Sequence, residues 1–190
     1  MFKGYIMKCL TKAAITLILT ASASLTIVTP ASAASRQIGV PAEAQTYSLW
    51  CWAASSRMVS RYLGGSSASQ CQFVKWGKRT SSCPNVTGDF GTDVSSALLS
   101  AGIYSPGNVS WSAISFNTIK GQIDSNKPVL IRWQWSSGGG HMLVVKGYNT
   151  SGSTVTYIDP GNGSVSTRSY SWMKSASGHT WTHSRYNISR

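Results

Sequence analysis

Between Cys51 and Leu63 the apolar positions recur at helical spacing: Ala54, Met58 and Tyr62 share a face with Val59 and Leu63, and Gly64-Gly65 ends the run. A second helix is predicted over Thr92 to Ala101. Thr92 stands as its N-cap, Val94, Ala97, Leu98 and Ala101 as its buried face, and Gly102 as its stop. A third spans roughly Phe116 to Ser125. From Pro128 onward the pattern changes. Pro128 to Trp135 is a strand, followed by His141 to Tyr148, Thr154 to Ile158 and Ser164 to Tyr170, with Gly, Asn and Ser turns between them. Residues 34–44 read as an extended lead-in, and Ser66 to Asp89, rich in Ser, Gly and Thr, as a loop. Helices first and antiparallel strands afterwards predict an α+β fold, one domain over residues 34–190.

The first 33 residues fall outside that domain. Lys3, Lys8 and Lys12 precede an apolar stretch from Ala13 to Val28, and Ala31-Ser32-Ala33 supplies small residues at a cleavage site. That is the pattern of a secretory signal peptide, so the secreted, extracellular chain is expected to begin near Ala34. The competing reading, an uncleaved membrane anchor, is disfavoured because the apolar stretch is short and broken by Ser and Thr.

The composition adds a cationic surface. The chain carries a net charge of +12, which becomes +9 when the three leader lysines are removed. Its acids are Glu43, Asp89, Asp93, Asp124 and Asp159. Adhesion to anionic cell surfaces is expected from this balance. The basic residues are scattered and form no stripe or motif, so no specific nucleic-acid partner is expected.

Cysteine count changes the picture more. Cys9 leaves with the leader, and Cys51, Cys71 and Cys83 remain. An odd number in an exported protein leaves one thiol free or paired with another molecule. Cys71 and Cys83 flank a polar, Lys-rich segment that a disulfide can close, which leaves Cys51 unpaired. In an oxidising compartment a free thiol is a liability unless it is used.

Cys51 opens its helix, where the positive end of the helix dipole favours the thiolate. Six residues earlier, Gln45 can aim its side-chain amide at the oxyanion formed when that thiolate attacks a carbonyl. His141 follows Gly138-Gly139-Gly140 at the mouth of an apolar strand, from which its ring can face the cysteine helix. Asp159 ends the next strand and can hold that ring in one tautomer. Asp-Pro-Gly is also a common turn opener, with Asn162 or Asn149 as substitutes for the orienting role. His179 and His183 have the spacing of helical metal ligands but no third ligand nearby, so no metal is expected. Trp133 and Trp135 alternate on a strand and suit core packing or a cleft wall.

In this order, Gln45, Cys51-Trp52-Ala53-Ala54, His141 and Asp159 resemble the papain-like cysteine peptidases. The compact bacterial members are closest, the C39-like leader peptidases and the secreted effector peptidases of the AvrRpt2 type. The resemblance covers roughly Gln45 to Asp159. It implies N-terminal helices that carry the nucleophile, packed on a C-terminal antiparallel sheet. It also implies endopeptidase activity through a Cys-His-Asp triad with a Gln oxyanion hole, with protein or peptide substrates, no cofactor and a monomeric chain. Two alternatives remain. Cell-wall amidases of the NlpC/P60 or CHAP type are also exported Cys–His enzymes, but they open the nucleophile helix with a polar triplet such as Asp-Cys-Ser, unlike Leu49-Trp50-Cys51-Trp52. An inactive cationic binding module would not need the intact Gln, Cys, His and Asp set.

Overall fold

The apolar run after Pro128 lies at the centre of the fold. In the computed structural model, which describes Met1, Gly4 and residues 33–190, it forms strand β3 (Val129–Trp135). Leu130, Ile131 and Val129 are fully buried there. Strand β3 lies between β4 (Gly140–Asn149) on one side and β8 (His179–Tyr186) on the other. Beyond β4 lie β5 (Thr154–Asp159) and β6 (Ser164–Ser169), and beyond β8 lies β2 (Asn108–Ser110). All these pairings are antiparallel. β1 (Ser35–Gln37) takes over the edge of β4 where β3 leaves it, pairing with Gly147–Asn149 after β3 has paired with Gly140–Val145. The short β7 (Ser175–Ala176) folds back on β8, following α5 (Tyr170–Lys174).

Helix α1 (Cys51–Tyr62) packs on β4 and is flanked by α2 (Gln70–Lys78) and α3 (Thr92–Ser100). Enclosed on several sides, it buries Ser55, Ser56 and Ser60 along with Trp52, Ala53, Ala54, Met58 and Val59. Small side chains let the neighbours approach, and the Ser56 hydroxyl donates back to the Trp52 carbonyl at 2.7 Å. Helix α4 (Phe116–Asp124) starts at a Ser115 cap and buries Ile119 and Ile123 against the sheet. The fold is therefore α+β, with N-terminal helices on an antiparallel sheet, as the sequence predicts.

Some expectations need correction. Residues 70–78 are not loop but α2. Its cap is Ser69, whose hydroxyl accepts from the Gln72 N–H, and its buried face is Phe73, Val74 and Gly77. The polar residues around this short apolar face hide it. Residues 179–186 form a strand between β2 and β3, so His179 and His183 lie on a strand rather than a helix. Thr92 is the first helical residue of α3 and not its cap; the Asp89 carboxylate accepts from the Gly91 and Thr92 N–H groups instead. The targeting segment expected over residues 1–33 lies outside the described residues apart from Met1, Gly4 and Ala33.

Candidate active site

The turn before α1 is fixed by bonds that run to other parts of the chain. The Gln45 N–H donates to the Pro160 carbonyl at 2.6 Å, and the Trp50 N–H to that of Tyr47 at 3.0 Å. The Trp50 indole donates to the Pro84 carbonyl (2.9 Å) and the Trp52 indole to that of Val86 (3.1 Å). Asn85 reaches the same turn twice, accepting from the Leu49 N–H and donating to the Ser48 hydroxyl, both at 3.0 Å. The Trp52 ring lies against Gly77 and Gly88, where a Cβ at either position would collide with it. A disulfide between Cys71 and Cys83, with Cα atoms 5.2 Å apart, ties α2 to the start of this bracing segment. Cys51, half-buried at the first position of α1, is left as a free thiol. At that position its N–H has no partner within the helix.

The opposing side comes from the sheet. His141 is the second residue of β4, in register with Trp133 on β3. Its Nε2 lies 2.6 Å from Asp159 Oδ1 at the end of β5, which leaves Nδ1 for other partners. The same carboxylate oxygen accepts from the Gly161 N–H at 2.7 Å. The Trp135 indole lies nearly parallel to the imidazole, at 5.7 Å between ring centres and 20° between planes. Burial would lower the basicity of this imidazole. Hydrogen bonding to Asp159, then to Cys51, and the charges of both outweigh burial and raise its pKa from 6.5 to about 9. For Asp159 burial pushes upward, but the His141 and Gly161 hydrogen bonds hold the carboxyl below its ordinary value. A thiol beside an imidazole whose far nitrogen is anchored on a carboxylate can pass its proton to the ring and attack an electrophilic carbon.

Cys51, His141 and Asp159 are thus brought together from three separate elements. Gln45 sits differently. Its amide donates to the carbonyls of Tyr47 (2.9 Å) and Ser48 (2.7 Å), and its own side-chain oxygen is buried without a partner. In this conformation both of its N–H groups are committed within the turn, which they tighten just ahead of Cys51.

Cys51 and His141 open onto a cleft of about 500 Å³, walled by Gly88, Phe90, Trp111, Arg132 and His183 among others. His183 is on β8, and burial followed by the Arg132 charge lowers its pKa below the ordinary value. His179, four residues earlier, stacks on Trp133 with ring centres 3.9 Å apart and bonds the Trp172 carbonyl. Sequence reasoning missed Arg185 altogether. This guanidinium is fully buried and donates to the Phe90, Gly91 and Pro106 carbonyls, so it holds the cleft wall in place. Burial lowers its pKa to about 10, with Asp89 opposing. Its signal in the sequence was slight: an arginine in a region that did not read as a strand.

Fold and site together define a papain-like cysteine peptidase. The profile of the papain-like cysteine protease AvrRpt2 family matches residues 34–177, and the chain belongs to that family. Its substrates are accordingly proteins. No curated protein sequence gives a significant match. β8, with His183 and Arg185, lies beyond the matched residues.

Proposed function

We propose that the protein is a secreted endopeptidase acting through a Cys51–His141–Asp159 triad. The observation that carries this reading is the 2.6 Å contact between His141 Nε2 and Asp159 Oδ1, on an imidazole that also interacts with Cys51. The Cys51 thiolate attacks the scissile carbonyl and a C–S bond forms. His141, protonated, then gives its proton to the leaving amine as the C–N bond breaks. The neutral ring next takes a proton from water, and hydroxide attack on the thioester releases the acid and restores Cys51. The tetrahedral oxyanions sit at the start of α1, where the Cys51 N–H is the first donor. Gln45 is the second donor once substrate draws its amide away from the Tyr47 and Ser48 carbonyls. Cleavage of the leader near Ala34 and a net charge of +9 fit a protein that works outside the cell and adheres to anionic surfaces.

The test is mass spectrometry of an unbiased peptide library incubated with the wild type and with Cys51→Ala. Internal cleavages made only by the wild type support the reading. Identical product spectra would reject it. Alkylation gives a substrate-free check. At about pH 6 an ordinary thiol is almost wholly protonated, so iodoacetamide should label Cys51 far faster than glutathione, and His141→Ala should remove that advantage.

A further inference from the structure

We infer that the cleft binds a carboxylate of its peptide substrate against Arg132, so that peptides carrying an acidic group close to the scissile bond are preferred. This rests on the endopeptidase reading of the same site. Arg132 comes from β3, in register with Met142 on β4 and His183 on β8, and its side chain reaches the cleft that holds Cys51 and His141. The guanidinium lies directly over Gly140, the residue before His141, where a Cβ would collide with it. Its Nη1 donates to the Thr182 hydroxyl at 3.1 Å and its Nη2 to the Gly139 carbonyl at 3.4 Å. Both are neutral partners that orient the planar head and leave its charge uncompensated.

The chain has five acidic residues, and none forms an ion pair with Arg132. Glu43 pairs with Arg57 and Arg61, Asp93 with Lys78, Asp124 with Lys120, and Asp159 with His141. Asp89 also lines the cleft, but its own wall balances it. One of its oxygens accepts from the Gly91 N–H, the Thr92 N–H and the Thr92 hydroxyl at the positive start of α3, and Lys78 adds its charge nearby. His183 supplies a second polar group beside the guanidinium. Its Nδ1 is engaged with the Thr182 hydroxyl at 2.8 Å, so Nε2 is the nitrogen left for a ligand. Trp111 and Phe90 meet the His183 ring edge-on at 4.8 and 5.3 Å and offer apolar surface to the stem of an Asp or Glu side chain. A planar cation held by neutral acceptors, next to the reacting groups, suits fork-like pairing with a carboxylate.

The experiment compares matched peptides, drawn from those cleaved in the library, with Asp or Glu near the cleaved bond against Asn or Gln, each with free and amidated C-termini. For the wild type, kcat/KM should favour the acidic member by roughly ten- to a hundredfold, mostly through KM. In Arg132→Gln the ratio should fall towards one, and in Arg132→Glu it should turn towards Lys and Arg peptides. Arg132→Lys should keep part of the preference. Melting temperature and Cys51 alkylation confirm that each variant is folded. A preference for Asp or Glu over Asn or Gln assigns the carboxylate to a side chain, and a preference for the free over the amidated C-terminus assigns it to the peptide terminus; either supports the inference. Cleavage with neither preference, or an unchanged ratio in Arg132→Gln, overturns it and leaves the peptidase intact. No cleavage of any peptide would take both down.

Discussion

Two halves of the molecule bring the reacting groups together by different means. On the helical side, Cys51 is placed by individual side chains: two indoles bonded to the Pro84 and Val86 carbonyls, a ring packed against two glycines, and one disulfide. On the sheet side, His141 and Asp159 are placed by backbone ladders, with β4 held between β3 and β5. Ladder bonds survive side-chain replacement, whereas a side-chain brace disappears with its residue. Substitutions at the sheet-borne site should therefore change rates with little effect on stability, and substitutions in the helical brace should change stability first.

Substitutions in each half test that contrast. The largest effects belong to the reacting pair. Cys51→Ala and His141→Ala should each lower kcat/KM by about 10⁴-fold or more with melting temperatures close to wild type. Asp159→Ala comes next, with a loss of about 10- to 1,000-fold and measurable residual turnover. This variant has a second readout. Since His141 stays protonated up to about 9, the wild-type rate should fall on the alkaline side near that value. Removing the carboxylate that raises the ring's pKa should move this limb to lower pH. The stability link has the same sign. With the folded pKa above 6.5, the pair's contribution is complete below about pH 6.5 and is lost as pH rises through about 9.

On the helical side, replacing both Cys71 and Cys83 with Ser should reduce unfolding free energy by about 3 kcal/mol, read from denaturant midpoints. Smallest in absolute terms is Gly88→Ala, which forces a methyl into the Trp52 ring and should destabilise by about 1–3 kcal/mol. If Gly88→Ala instead melted like wild type while Asp159→Ala unfolded, the division between braced and laddered halves would be wrong.

The same division explains what the sequence made legible. The Cys51 helix has a local pattern of its own, while His141 and Asp159 stand out only in order behind it, and the structure places the three within hydrogen-bonding reach of one another. α2 was obscured because Phe73 and Val74 are its only large, fully buried apolar side chains among polar neighbours. β8 was obscured because its buried positions include His179, Ser184 and Arg185 as well as Trp181. Ser184 and Arg185 bond to carbonyls 72 to 95 positions away, which no local window contains. Gln45 differs: its spacing from Cys51 suggests an oxyanion donor, but its amide is bonded to the Tyr47 and Ser48 carbonyls two and three residues on, a side-chain orientation that spacing does not specify.

Arg185 also bears on the order of synthesis. It grips the Phe90 carbonyl across 95 positions of sequence, from a strand inserted between β2 and β3. A ribosome makes Cys51, His141 and Asp159 well before it reaches that arginine. The nascent chain thus carries its chemical groups for several seconds, at about 5–20 residues per second, without the wall that gives a substrate somewhere to lie. The cleft wall is therefore complete only after residue 185 has been made.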